Sequence, residues 1–325
     1  MLKIINAAEV RELLPMNECV DLMAGAMRAA SAGEVHVPPR TFMPLVDGSG
    51  AFGLMPGSAA DPKVYGAKII SLHEDNPATG RPMIQGFVTL FDHNTGTPVA
   101  IIEGAEITAI RTAAASGLAT RILAREDART HGIFGTGVQA ITHIEAIAVA
   151  RPITETLVWG RDPKKAGALA AEQSQKTGMK IRATSDPTEA ATCDVVSTVT
   201  GASEPVLLGG WIKPGTHINL VGAHTPDTRE SDSDLIAAAS IFTDLLESLF
   251  NESGDILTPL EEGRIDRESI RGEIGRIVSG QLDGRSSAEE ITVYVSLGMT
   301  AQDLFAAHAV YEKALATGAG TDVEF

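Results

Sequence analysis

Residues Gly135-Thr136-Gly137-Val138-Gln139-Ala140 follow the form G-x-G-x-x-A. Glycines at 135 and 137 permit a tight turn and let the backbone approach a pyrophosphate at the amino end of the next helix. Small Ala140 lets that helix pack on the preceding strand. The apolar Gly132 to Phe134 run reads as that strand, and a second strand ends about 24 residues past Gly137, where such sites read the ribose. The chain offers Arg161 and then Asp162 there. An acid accepts from the ribose 2′-hydroxyl of NAD, whereas an arginine pairs with the 2′-phosphate of NADP. Arg161 therefore favours NADPH, with NADH open because strand register decides which side chain faces the ribose. The competing readings are a glycine-rich turn without ligand and an exposed loop cation.

Ligands of parallel sheets bind outside the carboxyl ends of the strands. That rule nominates Thr198 and Thr200 after one strand and Val221-Gly222-Ala223-His224 after the next, against ordinary loop polarity. The segments THGIF, VQAITHIEAIAVA, ETLVWG, MKIRAT, CDVVSTVT, THINLVG and ASIFTD form the rhythm that positions these residues, that of a doubly wound α/β domain at 116–299. The first hundred residues lack the alternation. Asn6 with Glu9 predicts a capped helix, Glu18 to Ala32 an amphipathic one, and 65–72, 83–91 and 97–102 read as strands, the last two joined by a turn at 93–97. An Ala-rich helix over 106–124 follows, and TAQDLFAAHAVYEKALATG reads as a helix that packs back on the first domain.

With 26 Lys plus Arg against 42 Asp plus Glu, the net charge of −16 excludes the basic surface that nucleic acid requires and gives no attraction to anionic lipid. Hydrophobic residues at 44% describe a globular chain rather than a disordered one. Cys19 and Cys193 are too few for a disulfide framework and lack metal-ligand spacing, so no metal is expected and each reads as a small buried hydrophobe. Glu9, Arg11 and Glu12 interrupt any signal-peptide core, and no apolar run approaches about 18 residues, which leads to a cytoplasmic expectation.

Seven ordered segments together resemble the ornithine cyclodeaminase and mu-crystallin family. They are Pro39-Arg40-Thr41, Gly66-Ala67-Lys68, the run from Glu106 to Ala114, the glycine loop, Val221 to Glu230, Glu252-Ser253-Gly254-Asp255, and Thr292 to Met299. The resemblance implies a Rossmann-type domain over 116–299 and a split α+β domain, 1–115 plus 300–325, that binds substrate and forms a homodimer. It further implies that Arg40, Lys68 and Arg111 hold a substrate carboxylate. Thr112, Gly135, Thr136, Gly137, Val138, Gln139, Ala140, Arg161, Thr198, Val221, Ser296 and Gly298 would line the cofactor. Burying three cations unpaired is costly, and an anionic ligand or internal ion pairs would satisfy them.

Two departures select among the family's chemistries. In the cyclodeaminases an aspartate stands at His224 and an acid at Gly53, and cyclodeamination needs an anion to hold the side-chain amine. A cyclic imino acid needs instead a protonated nitrogen, a fixed carboxylate and a hydride donor. The resulting expectation is NAD(P)H-dependent reduction of pyrroline-2-carboxylate or piperideine-2-carboxylate to L-proline or L-pipecolate, with His224 or Lys68 as proton donor. The alternatives are an ornithine cyclodeaminase, an amino-acid or opine-type dehydrogenase, and a non-catalytic NADPH-binding protein.

Overall fold

The computed structural model describes residues 1–324; position 325, the end of the expected 300–325 segment, lies outside the described residues. The chain divides into two units, Met1–Arg111 with the stretch from Gly298, and Thr112–Leu297.

In the first unit the Asn6 side chain accepts from the amides of Ala8 and Glu9 while Glu9 accepts from the Asn6 amide. This box separates β1 (Leu2–Ile5) from α1 (Ala7–Leu13). Next come α2 (Met16–Ser31), β2 (Val35–His36), β3 (Thr41–Pro44), β4 (Ala51–Ala59), β5 (Val64–Leu72), β6 (Ile84–Phe91) and β7 (Pro98–Glu103). A final strand, Thr321–Val323, completes a mixed sheet in the order C-terminal strand, β1, β7, β6, β5, β4, β2, with β3 beside β4. Burial alternates along β5: Val64, Gly66, Lys68 and Ile70 face inward, and Lys68 pairs in register with Met55 and Val88. Helix α2, with buried Met16, Cys19, Val20, Met23 and Met27, packs against the C-terminal helix Thr300–Thr317, which itself packs against β4, β5 and β6. The other face of the sheet leaves Ile4, Met43, Phe52, Leu54 and Phe87 exposed. Helix α3 (Gly104–Leu123) begins where Glu103 accepts from the amides of Ala105 and Glu106.

The second unit holds an all-parallel sheet of β8 (Thr130–Phe134), β9 (Glu155–Trp159), β10 (Lys180–Ala183), β11 (Val195–Thr198), β12 (His217–Leu220), β13 (Ser240–Thr243), β14 (Ile270–Glu273) and β15 (Thr292–Val295). Helices α4 (Val138–Ala150), α5 (Pro163–Thr177), α6 (Pro187–Ala191), α7 (Ser233–Ala238), α8 (Leu246–Glu252), α9 (Gly254–Glu261) and α10 (Ile274–Val278) connect them. The order β10-β9-β8-β11-β12-β15-β13-β14 runs outward from β8 in both directions, so the switch point lies between β8 and β11. Strands β14 and β15 were not read as strands from the sequence; each has four residues, and Ile270-Arg271-Gly272-Glu273 carries a single apolar side chain. Beside Thr120 of α3, a buried polar row crosses the sheet: His131 to Ser197 at 3.0 Å, Asn219 to Thr120 at 3.1 Å, and His217 to Thr292 at 3.0 Å.

Candidate active site: a cation cluster and a dinucleotide loop

The inward alternation of β5 places Lys68 at 3% exposure, and the second turn of α3 places Arg111 at 6%. Both meet Asp303 of the C-terminal helix: its Oδ1 accepts from Lys68 Nζ at 3.2 Å and from Arg111 Nε at 2.9 Å. Gln302 Oε1 accepts from Arg111 Nη1 at 2.8 Å, and Arg40 Nη2 donates to the Gly298 carbonyl at 3.3 Å. Gly298 has φ +75°, and a side-chain carbon there would lie 2.6 Å from Arg111 Nη1, so only glycine leaves the guanidinium its place. The internal pairing foreseen as an alternative is thus partly realised, through Asp303 rather than Glu106, whose partner is Arg11. One carboxylate shared by Lys68 and Arg111 leaves one positive charge over. Burial, chiefly, pushes the Lys68 ammonium from its ordinary 10.5 down to about 8; Asp303 pulls it up, and Arg111 and Arg40 push it down.

Neither Asp303 nor Gln302 was singled out from the sequence. The available signal was polarity in the wrong place: both are fully buried among Ala301, Leu304, Phe305 and Ala306, and an acid in so apolar a turn requires a cationic partner.

In the second unit the glycine loop lies between β8 and α4. Gly135 takes φ +129°, with the Val199 carbonyl 2.8 Å from where a side-chain carbon would stand. Gly137 caps α4 without a side-chain hydrogen bond, and a side-chain carbon there would meet nothing within 4 Å. The first turn of α4 has no acid, and Ala140 is fully buried. Unclaimed amides with open space before them suit a pyrophosphate, so the residues present fit a dinucleotide. Thr136, beside Gly137 and exposed Val138, packs on Gly160, and half-buried Gln139 follows in the first turn. Arg161 is exposed, whereas Asp162 is committed to capping α5 through the amides of Lys164 and Lys165.

Thr198 is fully buried and its hydroxyl donates to Glu230 Oε2 at 2.7 Å, a commitment that the strand-end rule could not foresee. The Val221 amide donates to the Thr198 carbonyl at 3.1 Å, and His224 is exposed with Nδ1 3.1 Å from the Gly222 carbonyl. Ser296 is buried and its Oγ has no protein partner; Thr112 follows Arg111 on α3, 8% exposed. Gly298, expected against the cofactor, lies beside Arg40 and Arg111 in the first unit. Cys19 and Cys193 are free and buried. Among the described residues, no group of three or more His, Cys, Asp or Glu could hold a metal, and no helix is long and apolar enough to cross a membrane.

Comparison with known proteins agrees with this architecture. A model of the ornithine cyclodeaminase/mu-crystallin family matches residues 2–318. The Delta(1)-pyrroline-2-carboxylate reductase of Bacillus cereus is 36% identical over 324 residues, 99% of each chain. Among solved structures, the Delta(1)-pyrroline-2-carboxylate reductase of Thermococcus litoralis, in complex with NADH and L-proline, matches with a TM-score of 0.95 at 38% identity, covering 99% of this chain and 100% of its own. An archaeal alanine dehydrogenase dimer with bound NAD matches with a TM-score of 0.93 at 31% identity, covering 100% and 99%. On matches that span nearly its whole length, the chain belongs to the ornithine cyclodeaminase/mu-crystallin family.

Proposed function

We propose that this protein reduces a cyclic imino acid, pyrroline-2-carboxylate or piperideine-2-carboxylate, to L-proline or L-pipecolate with NAD(P)H. The observation that carries this reading is the charge surplus at Asp303: buried Lys68 and Arg111 share one carboxylate, with Arg40 close enough to act on Lys68, which calls for a further anion. The relatives named as pyrroline-2-carboxylate reductases, one holding NADH and L-proline, support it.

When bound, the reduced nicotinamide supplies the hydride that adds to the imine carbon. Arg40 and Arg111 orient the substrate carboxylate, and Lys68, still protonated at neutral pH but close to releasing its proton, protonates the ring nitrogen. Arg161, free of competition from Asp162, takes the 2′-phosphate of NADPH, with NADH as the other candidate. The exposed apolar face of Ile4, Met43, Phe52, Leu54 and Phe87 supports a homodimer in which a second copy covers it.

The test is to supply NADPH or NADH with each cyclic imine, with ornithine, and with pyruvate plus ammonium, following nicotinamide oxidation and ammonia. Oxidation with the imines is the expected result. Ammonia from ornithine, or oxidation with pyruvate and ammonium alone, overturns the reading in favour of a cyclodeaminase or an alanine dehydrogenase.

A further inference from the structure

The carboxyl ends of β11 and β12 are tied to one side chain that the reaction does not use. Glu230 is fully buried, and its carboxylate accepts four hydrogen bonds. Oε1 accepts from the Thr200 amide and the Thr200 hydroxyl, each at 2.7 Å; Oε2 accepts from the Thr198 hydroxyl at 2.7 Å and the Gly222 amide at 2.6 Å. All four donors lie at or just past the carboxyl ends of β11 and β12. Glu230 is itself held from behind: Asp255 Oδ1 accepts from the amides of Glu230 and Ser231 at 3.0 and 2.8 Å and from the Ser231 hydroxyl at 2.6 Å.

Two consequences reach the ligand side of the sheet. The Val199 amide bonds the Phe134 carbonyl and its own carbonyl lies against Gly135, so the segment anchored by Glu230 backs the glycine loop. The Gly222 carbonyl faces His224 Nδ1, so the Gly222 amide bond also sets the position of His224. A buried carboxylate is costly, and burial pushes Glu230 above the usual carboxylate range while these bonds pull it back. Only an acceptor without donors of its own satisfies four converging donors; a glutamine would turn an N–H toward at least one of them.

We propose that Glu230, braced by Asp255, is a positioning residue that sets the ends of β11 and β12 for the nicotinamide and pyrophosphate of the cofactor and leaves the adenosine end untouched. This rests on the dinucleotide reading above. The experiment compares wild type, Glu230→Gln, Glu230→Asp and the milder Thr200→Val by fluorescence titration with NADPH and NADH, and by calorimetry with 2′,5′-ADP and 5′-AMP, which lack the nicotinamide and the pyrophosphate bridge. In Glu230→Gln the full dinucleotide weakens at least tenfold and the fragment stays within about twofold. Glu230→Asp recovers part of the loss, and Thr200→Val, which removes one donor, loses about threefold. If Glu230→Gln does not fold, Thr200→Val decides on the same split. Equal weakening of dinucleotide and fragment, or no weakening of either, overturns the proposal while the dinucleotide reading stands. Failure of the wild type to bind either dinucleotide overturns both.

Discussion

Arg111 Nε and Asp303 Oδ1 lie 2.9 Å apart, and the same oxygen takes the Lys68 ammonium at 3.2 Å. Two buried cations from a helix and a strand share a single oxygen of a residue 192 and 235 positions away, and the other carboxylate oxygen has no hydrogen-bond partner. The cluster is therefore held together by an acid too few in charge to neutralise it.

Removing that charge should expose the imbalance. In Asp303→Asn the buried Lys68 and Arg111 lose their shared counter-ion, and breaking a buried pair of this kind costs about 3–5 kcal/mol. Urea unfolding should register that loss. L-proline, whose carboxylate replaces the missing charge, should raise the melting temperature more in Asp303→Asn than in wild type. An equal proline shift in both would mean that the cations do not meet the ligand.

The proton donor can be read from the alkaline limb of kcat/KM. With Lys68 pushed down to about 8, the protonated form is lost above that pH and activity with the imine should fall there. Lys68→Arg keeps its charge far beyond this range and should flatten the limb even if turnover is reduced. A limb unchanged in Lys68→Arg transfers the role to His224, for which His224→Ala is the complementary variant.

Cofactor choice should follow Arg161. Losing one charged hydrogen bond to phosphate costs about 1.5–3 kcal/mol, or roughly 10- to 100-fold. Arg161→Ala should raise the KM for NADPH by that factor and leave the NADH value within about twofold. Equal changes for the two cofactors would remove Arg161 from the selection.

Assembly should depend on the uncovered face of the first sheet. A charge placed at Leu54, 37% exposed and in register with Ile69, which in turn faces Phe87, should oppose burial of this surface against a second copy. Sedimentation should give a dimer for wild type and a monomer for Leu54→Asp. A dimer of unchanged affinity in Leu54→Asp would place the interface elsewhere.

Acid should weaken the second unit through its buried histidines. His131, His143 and His217 are pushed by burial to about 3, 4 and 3 from an ordinary 6.5. The unfolded chain binds protons below pH 6.5 while the folded one does not, so stability is complete above 6.5 and is lost as pH falls. Each histidine contributes about 2 kcal/mol of loss by pH 5. Asp255, raised by burial to about 7, acts oppositely, its penalty easing as pH falls. The contribution of one histidine is isolated by His143→Gln, whose urea stability should drop about 2 kcal/mol less than wild type between pH 8 and 5. Identical drops would show that His143 titrates alike in both states.

The glycine loop was readable because its function requires particular backbone freedom at particular spacings, and local structure follows local sequence: Gly135 does adopt a left-handed angle, and Asn6 and Glu9 do form their box. The alternation along the second unit was equally legible, since strand and helix periods are properties of short segments. Asp303 was not, because nothing within its own helix says which cations from β5 and α3 will reach it. Glu230 stood in a quoted motif without a task for the same reason, its four donors coming from residues 198, 200 and 222.

Residue types and their order along the chain made legible the two-part architecture, the glycine turn between strand and helix, and the three cations Arg40, Lys68 and Arg111. Folding alone decided which partner each charge received: that Arg111 takes Asp303 rather than Glu106, that Asp162 is spent on a helix cap and Arg161 is not, and that Thr198 gives its hydroxyl to Glu230. The physical reason is that turns and periodicities are set over a few bonds, whereas the pairing of buried charge depends on distances between segments a hundred or more residues apart, which exist only once the sheets are packed.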